Sequence, residues 1–291
     1  MSAFLSIEDL TVELKSGMPV LRGVSIDVNV GKVHGLVGES GAGKSMIGKA
    51  ILGILPRALS VTAGSIILDG EELQSMAPKT RRELIGATAA LIPQDPLTAL
   101  NPVRRIGPQI TRRLIDILGW NKANAETRAL ELLDEVNIPD PDRVMHSYPH
   151  ELSGGMRQRI LIASAFAAEP KLIIADEPTT ALDVTVQKRI LKLIEEMQER
   201  HGSALLFVTH DLGVISKIVQ SLSVLYEGKV VETADLRNFF MQPSHLYSRA
   251  LLQATPKYTD PDRSLTPVSD EVTAILADEI DVWDKEHGYH V

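Results

Sequence analysis

The sequence predicts an α/β fold with a mostly parallel sheet core, a small antiparallel β part and an inserted helical subdomain. Residues 1–97 and 160–234 alternate strand-like with helix-like patterns, which is typical of strands joined by crossover helices. The run 171–175 is apolar without alternation, as expected for a parallel strand covered on both faces. Between these parts, 104–118 and 123–136 have helical apolar spacing, which places the helical insertion in the middle of the chain.

Composition narrows the class of protein. With 291 residues and 44% hydrophobic content, the chain can bury the core of one large or two modest domains. Its net charge of −8 gives no reason to expect nucleic-acid binding, and its lack of cysteine excludes disulfides, thiolate metal sites and thiol catalysis. The sequence has no apolar run of membrane-spanning length and no signal-peptide pattern, so membrane attachment is expected to come through partner proteins.

A glycine-rich loop at 38–45 lies between a short predicted strand (32–37) and a predicted helix (46–55). Glycines permit positive φ and let backbone N–H groups converge on phosphate oxygens at a helix N-terminus. Lys44 is expected to reach the β and γ phosphates, and Ser45 to offer its hydroxyl to Mg²⁺. The alternative is a glycine-rich surface turn, which the strand, loop and helix order disfavours. The predicted nucleotide-binding residues are Gly38, Glu39, Ser40, Gly41, Ala42, Gly43, Lys44, Ser45 and Met46.

Two acidic residues, Asp176 and Glu177, directly follow the predicted buried strand 171–175. In an open α/β sheet, ligands lie beyond the carboxyl ends of the strands, so both acids are expected to face the nucleotide. Asp176 is predicted to hold Mg²⁺ directly or through water, and Glu177 to orient or deprotonate the attacking water. The alternative is a pair of helix-capping acids, but the Asp-Glu-Pro sequence is unusual for a cap.

Gln94 and His210 each follow another strand-like run, 89–93 and 204–209. Gln94 is placed to sense Mg²⁺ and the attacking water, although a lone glutamine before a turn is usually ordinary solvent-facing polarity. His210 is expected to contact the γ-phosphate, although a lone histidine is usually structural. Its charge state stays open because an imidazole titrates near pH 6.5. The predicted catalytic residues are therefore Lys44, Gln94, Glu177 and His210, and the predicted metal ligands are Ser45, Gln94 and Asp176.

The middle of the chain is predicted to be a helical subdomain, 98–159, because Pro139, Pro141 and Pro149 break its pattern before residue 160. After Gly228 the sequence predicts a short strand followed by two helices. Their ranges are 229–232, 236–241 and 245–252.

One segment, Leu-Ser-Gly-Gly-Met-Arg-Gln-Arg at 152–159, lies between the glycine-rich loop and the acidic strand end. A generic nucleotide binder needs only the two outer motifs. All three motifs occur once and in the order found in the nucleotide-binding subunits of ABC transporters, which the chain resembles from 5 to 256. It is most similar to the oligopeptide and dipeptide importer branch, through 94–102, 176–187 and 245–252.

The resemblance implies an ABC-type P-loop ATPase domain (1–234) with a C-terminal extension of the peptide-importer type (235–291). It implies ATP and Mg²⁺ as cofactors and two ATP molecules sandwiched between facing subunits. Each would be held by 38–45 of one subunit and by Ser153, Gly154 and Gly155 of the other, while Asp183 would couple the two sites.

The implied function is a bacterial importer of short peptides or a related solute, such as a metal complex, opine or glycoside. The implied partners are a second ABC ATPase chain or another copy of this one, two permeases and an extracytoplasmic solute-binding protein. The chain would act peripherally at the cytoplasmic face of the inner membrane. The surface near 94–102 would receive a permease helix, unless it is plain core of a small bundle.

Three departures from the family pattern stand out. Leu14 lies where many members place an adenine-stacking aromatic ring, so adenine selectivity is expected to be weak. No cysteine is present where the branch often ligates iron and sulfur, so no iron–sulfur cluster is expected. The acidic stretch 278–286 matches nothing in the family and is either a surface helix or a disordered end.

Two other function classes remain as alternatives. A soluble ABC ATPase acting on nucleic acid or ribosomes usually adds zinc-binding cysteines, a coiled coil or a second module, none of which is visible here. The ATPase half of an exporter is more often fused to membrane helices. The transported solute is not encoded in this chain, because binding proteins and permeases select it.

Overall fold

The fold comes from a computed structural model that describes residues 3–180, 182–254 and 269–289. The strands are β1 (Leu5–Leu14), β2 (Pro19–Val28), β3 (Val33–Val37), β4 (Leu59–Leu68), β5 (Glu71–Glu72), β6 (Ala89–Ile92), β7 (Leu172–Asp176), β8 (Ala204–Thr209), β9 (Ser221–Tyr226) and β10 (Lys229–Asp235). The helices are α1 (Lys44–Ile51), α2 (Pro78–Thr88), α3 (Pro96–Ala99), α4 (Ile106–Asp116), α5 (Lys122–Glu135), α6 (Pro141–His146), α7 (Gly154–Phe166), α8 (Val184–His201), α9 (Leu212–Ile218), α10 (Leu236–Met241), α11 (Leu246–Ala254) and α12 (Asp270–Glu286), with a short 3-10 helix at Pro149–Glu151.

The chain folds into two compact units. The first unit comprises 1–29, 33–74 and 207–291, and the second comprises 30–32 and 75–206. The glycine-rich loop and His210 therefore belong to the first unit, whereas Gln94 and the acidic strand end belong to the second.

The first unit contains the predicted antiparallel β part. Strand β1 pairs antiparallel with both β2 and β4, and β4 pairs with β5. Its other strands include β3, which runs parallel to β9, and β10, which runs antiparallel to β9. All five residues of β3 are buried, in agreement with the short buried strand predicted at 32–37.

The second unit combines parallel strands with the helical insertion. Strands β6 and β7 are parallel, with Ala89 opposite Leu172 and Ile92 opposite Ala175. Helices α4 and α5 confirm the predicted helices in 104–118 and 123–136, and each buries one apolar face. Apart from the small antiparallel part formed by β1, β2, β4 and β5, the β3–β9 and β6–β7 pairs are parallel and β10 pairs antiparallel. This confirms the predicted α/β class, with a mostly parallel sheet core beside a small antiparallel β part.

Helix α1 is shorter than its sequence pattern predicts. The pattern indicates a helix to residue 55, but α1 ends at Ile51. Gly53 adopts a left-handed φ of 65°, its N–H donates to Ala50 O, and the N–H of Ile54 donates back to Lys49 O at 2.9 Å. This is a Schellman C-cap, in which a glycine terminates the helix despite the apolar residues that follow.

The C-terminal part contains a helix that sequence analysis left open. Strand β10 and helices α10 and α11 confirm the predicted strand and the two helices after it. The acidic stretch 278–286 belongs to α12, and this helix is not merely a surface element, because Leu276, Ile280 and Asp284 are buried at four-residue spacing. Burial of the leucine and isoleucine contributes about 1.5–3 kcal/mol each.

Among the described residues, no helix combines the length and apolar character needed to cross a membrane.

Candidate functional site

The glycine-rich loop joins β3 to α1 in the first unit, and close backbone contacts require its glycines. A Cβ atom on Gly38 would lie 2.2 Å from the carbonyl oxygen of Leu225. A Cβ on Gly43 would lie 2.9 Å from Leu21, and Gly43 also has a left-handed φ of 101°. Larger residues at these positions would therefore displace the loop backbone.

Lys44 opens α1 with its side chain almost fully buried. Its ammonium donates to the carbonyl oxygens of Gly38 at 2.8 Å and Glu39 at 2.7 Å, so the side chain folds back over the loop. Ser45 follows as the second residue of the helix, and the helix N-cap, Gly43, has no side chain to cap the first turn. A helix start preceded by a glycine-rich loop favours an anion such as phosphate.

His210 is an exposed residue between β8 and α9 in the first unit. The backbone on either side of it is fixed by its neighbours. The N–H of Asp211 donates to the Thr209 hydroxyl at 3.1 Å, and the Asp211 carboxylate caps α9 by accepting from Gly213 N at 2.7 Å. The structure thus presents His210 at the carboxyl end of a buried strand, as the sequence predicts.

The acidic strand end lies in the second unit. Glu177 follows β7 with a left-handed φ of 46°, a conformation that is rare for a residue with a long side chain. Its Oε2 atom accepts from the amide Nε2 of Gln94 at 3.2 Å and from the hydroxyl of Thr180 at 2.8 Å. Two donors from separate parts of the unit therefore orient one carboxylate.

The alternative interpretation of this acidic pair, as caps of the next helix, does not agree with the structure. Helix α8 begins at Val184, and its N-cap is Asp183, whose Oδ1 accepts from Thr185 N at 3.0 Å and Val186 N at 2.9 Å. Asp176 is the last residue of β7 and Glu177 lies in the following loop, so both precede that cap. The family resemblance implies that Asp183 couples two sites across a subunit interface. Within the chain, the Asp183 carboxylate caps α8.

The Ser-Gly-Gly segment forms the start of α7 in the second unit. Ser153 is the exposed N-cap and accepts from Met156 N at 3.3 Å. A Cβ atom on Gly154 or Gly155 would meet no atom within 4 Å, so this helix start is open to an approaching partner. Further along α7, the buried Gln158 donates to Pro178 O at 2.8 Å and so ties the helix to the loop after Glu177.

The predicted metal ligands have the chemistry that Mg²⁺ prefers. Ser45, Gln94 and Asp176 offer a hydroxyl, an amide and a carboxylate oxygen, and Mg²⁺ is usually held by one or two carboxylates together with substrate phosphates. Within the described ranges, no group of three or more histidine, aspartate or glutamate side chains forms a metal cage. Each of the three groups, taken by itself, is of the kind that holds Mg²⁺ beside a phosphate ligand.

Sequence reasoning missed three residues that the structure places at these motifs. Thr180 bonds Glu177, Gln158 bonds Pro178, and the N–H of Glu39 donates to the hydroxyl of Tyr247 at 3.3 Å. Each of them lies in a motif that the sequence shows, but no local pattern indicates its bonding partner. Spatial proximity alone reveals these contacts.

Two family models match parts of the chain. A model described as ABC transporter matches residues 21–180. A second model, described as AAA domain, putative AbiEii toxin, Type IV TA system, matches the shorter stretch 147–216.

The chain is also similar to individual proteins. The dipeptide transport ATP-binding protein DppD of Escherichia coli (strain K12) is 44% identical over 259 residues, which cover 88% of this chain and 79% of that protein. The oligopeptide transport ATP-binding protein OppD of Bacillus subtilis (strain 168) is 41% identical over 256 residues, covering 87% and 72%. A solved structure of the ATP-binding cassette MJ0796, dimeric, post-hydrolysis and bound to ADP and Pi, superposes with a TM-score of 0.70 at 25% identity, covering 80% of this chain and 99% of that one.

Proposed function

Because the chain belongs to the ABC transporter family, we propose that it is the ATP-hydrolysing subunit of a bacterial importer for short peptides or a related solute. The chain is an ATPase of the ABC type. The peptide assignment follows from its similarity to DppD and OppD, whose names describe dipeptide and oligopeptide transport.

The observation that carries the hydrolytic role is the orientation of Glu177. Its carboxylate is held by the Gln94 amide and the Thr180 hydroxyl rather than by helix amides. A carboxylate at a strand end, oriented by neutral donors, is suited to orient or deprotonate an attacking water molecule. In this arrangement Gln94 senses the attacking water through the Glu177 carboxylate, which bonds both the Gln94 amide and the water.

The phosphate loop supplies nucleotide binding in this proposal. Lys44 is preorganised over the loop by its bonds to Gly38 and Glu39, and it stabilises charge on the β and γ phosphates. Ser45, Gln94 and Asp176 would hold Mg²⁺, which when bound supplies positive charge to the phosphate oxygens. His210 contacts the γ-phosphate from the end of β8. The loop amides from Gly38 to Met46 complete the nucleotide site.

The second subunit acts through the start of α7. Ser153 is exposed, and the space around Gly154 and Gly155 is open, which supports a γ-phosphate contact made in trans by these three residues. Asp183, exposed at the start of α8, would couple the two sites across the interface. Closure of such a dimer depends on ATP and relaxes after hydrolysis.

Transport requires partners that this chain does not contain. We expect a second ATPase subunit, two permeases and a solute-binding protein, with the chain held peripherally at the cytoplasmic face of the membrane. The side chains of Leu97 and Val103, 64% and 80% exposed, offer apolar surface near 94–102 for a permease helix. In this proposal the helical subdomain comprises 98–159, the ATPase domain 1–234 and the extension 235–291.

The test of this proposal is a pull-down of the tagged chain from detergent-solubilised host membranes, followed by an ATPase assay with candidate solute-binding proteins. Recovery of two permeases, with hydrolysis stimulated by a loaded binding protein, supports the importer and identifies its solute class. Recovery of ribosomal or nucleic-acid partners without permeases would overturn transport in favour of the soluble ABC class.

A further inference from the structure

The turn between β9 and β10 lies directly against the phosphate loop. The N–H of Gly228 donates to Ala42 O at 2.8 Å, and Ala42 is part of the loop. A Cβ on Gly228 would lie only 2.2 Å from Val20 O, and the residue before it, Glu227, has a left-handed φ of 42°. The turn therefore packs tightly between β2 and the phosphate loop. A shift of the turn backbone would move or break its hydrogen bond to Ala42.

Arg22 holds this turn from the side of β2. Its backbone N–H donates to Gly228 O at 2.8 Å, and its guanidinium Nη1 donates to Glu227 O at 2.6 Å. Both carbonyls of the turn thus accept from one residue. Of these two carbonyls the guanidinium bonds only that of Glu227, and because its donors lie in one rigid plane its other nitrogens are available for a second acceptor.

The guanidinium is itself held by the C-terminal helix. Asp284 accepts from Arg22 through Oδ1 at 2.8 Å and Oδ2 at 3.0 Å, and the two side chains are only 5% and 11% exposed. Asp284 lies in the last turn of α12, where an acidic residue opposes the helix dipole. Its position is therefore explained by the bidentate pair with Arg22 and not by the stability of its own helix.

The end of α12 is anchored so that Asp284 has little freedom. The Trp283 indole covers Gly23, where a Cβ would lie 3.5 Å from the ring. Just after the helix, the hydroxyl of Tyr289 donates to Glu13 at 2.6 Å. These contacts fix the helix end on the β1 and β2 strands, beside Arg22.

A second contact links the C-terminal part to the same loop. Tyr247, fully buried in α11, accepts from the backbone N–H of Glu39 at 3.3 Å, and its ring lies 4.8 Å from that of Tyr226 at the end of β9. The phosphate loop is thus supported at Glu39 through α11 and at Ala42 through the turn that Arg22 and Asp284 hold.

We propose that the C-terminal segment is a positioning element for nucleotide binding, with Asp284 acting through Arg22 and the 227–228 turn to hold the phosphate loop. This inference rests on the proposed role of that loop. Asp284 and Tyr247 are positioning residues, because Asp284 acts through Arg22, Tyr247 supports the backbone of Glu39, and neither is assigned a contact with ATP itself. ATP affinity therefore depends on a helix that is distant from the loop in sequence.

The experiment measures the Kd of the full chain for a fluorescent ATP analogue, together with KM, kcat and melting temperature. Asp284→Asn is expected to raise Kd and KM roughly tenfold, with kcat at saturating ATP little changed, since a positioned loop binds phosphate more tightly than a mobile one. In an Arg22→Gln background, Asp284→Asn should have no further effect on Kd. Asp281→Asn, an exposed change on the same helix, is the matched control and should leave Kd unchanged.

Tyr247→Phe keeps the ring, removes one hydrogen bond to the loop, and decides the question if Asp284→Asn does not fold. A Kd increase of roughly threefold for Tyr247→Phe supports the inference. Wild-type Kd in the folded variants, even with a lowered melting temperature, would overturn it. Lys44→Ala separates the two proposals: if it binds the analogue as the wild type does, the role of the loop itself is wrong, whereas loss of binding in Lys44→Ala beside wild-type Kd in the other variants overturns only the positioning role.

Discussion

The amide of Gln94 donates to Oε2 of Glu177 at 3.2 Å, although 83 positions separate the two residues in the sequence. Thr180 donates to the same oxygen at 2.8 Å. The contact joins the end of β6 to the end of β7, which are neighbouring parallel strands. Two strand ends at one edge of a sheet thus produce one oriented carboxylate, as the general placement of α/β sites requires.

Replacing Glu177 by Gln should abolish turnover and retain nucleotide binding. The amide cannot accept a proton from water, but it preserves the size of the side chain and its contact with Thr180. We expect kcat to fall at least a hundredfold and an ATP-bound dimer to accumulate, because closure no longer ends in hydrolysis. Steady-state ATPase assays and size-exclusion chromatography with ATP measure the two effects.

Glu195→Gln is the matched control for that variant. Glu195 is exposed on α8, and its substitution should leave both kcat and the oligomeric state as in the wild type. If Glu177→Gln hydrolysed ATP at the wild-type rate, the catalytic assignment of Glu177 would be wrong.

The hydroxyl of Thr180 should matter to chemistry more than to binding. Thr180→Val removes the bond to Glu177 at nearly constant volume, and misplacement of a catalytic group can lower the rate about tenfold to a hundredfold. Thr180→Ser keeps the hydroxyl and should retain most of kcat. The measurement is kcat for both variants at saturating ATP, and equal rates for valine and serine would contradict an orienting role.

Asp183 should separate a stability role from a coupling role. Asp183→Ala removes the N-cap of α8 and should lower the free energy of unfolding by about 1 kcal/mol. Asp183→Asn retains a good cap but removes the charge, so its unfolding free energy should stay near the wild-type value. If Asp183 couples two sites, the asparagine variant loses cooperativity in the ATP dependence of hydrolysis. Urea unfolding and rate curves against ATP concentration distinguish these outcomes, and unchanged cooperativity would reject the coupling role.

His34 should make the stability of the protein fall in mild acid. The side chain is 3% exposed, and its ring nitrogens lie 2.8 Å from the Ser221 hydroxyl and 3.0 Å from the Ser223 hydroxyl. Burial lowers the pKa of His34 to about 4, against a smaller opposing effect of Asp27. Between about pH 6.5 and 4 the unfolded chain therefore binds more protons at this position than the folded chain, and stability decreases as the pH falls.

The size of this effect follows from the shift in pKa. A change from the ordinary value to about 4 corresponds to about 3 kcal/mol of unfolding free energy across that pH range, with little further loss from this group below it. His34→Gln removes the titrating group, so unfolding by urea should depend less steeply on pH in this variant. Equal pH dependence in the two proteins would show that His34 is not the group responsible.

Several elements followed from local pattern because the physics that forms them is local. The non-alternating apolar run of β7 predicted a buried parallel strand, and the spacing of α4 and α5 predicted helices with one apolar face. The C-terminal end of α1 was wrong by a few residues, because a left-handed glycine stopped a helix that the apolar pattern would continue. The roles assigned to the site residues stay predictions.

The sequence by itself determined the motifs, their order and the backbone chemistry of each loop. A glycine-rich loop before a helix, an acidic pair after a buried strand, and a Ser-Gly-Gly segment opening a helix all depend on residues close together in the chain. Their physical requirements, such as positive φ at Gly43, can therefore be read from single positions.

Only the tertiary structure decided which distant groups meet. The pair of Arg22 with Asp284 spans 262 positions, and the bond from Tyr289 to Glu13 spans 276. No local pattern specifies such pairs, since they arise when burial of apolar faces, here that of α12, brings separate segments together. The polar groups buried at such a contact then pair with each other, because a buried charge without a partner is costly.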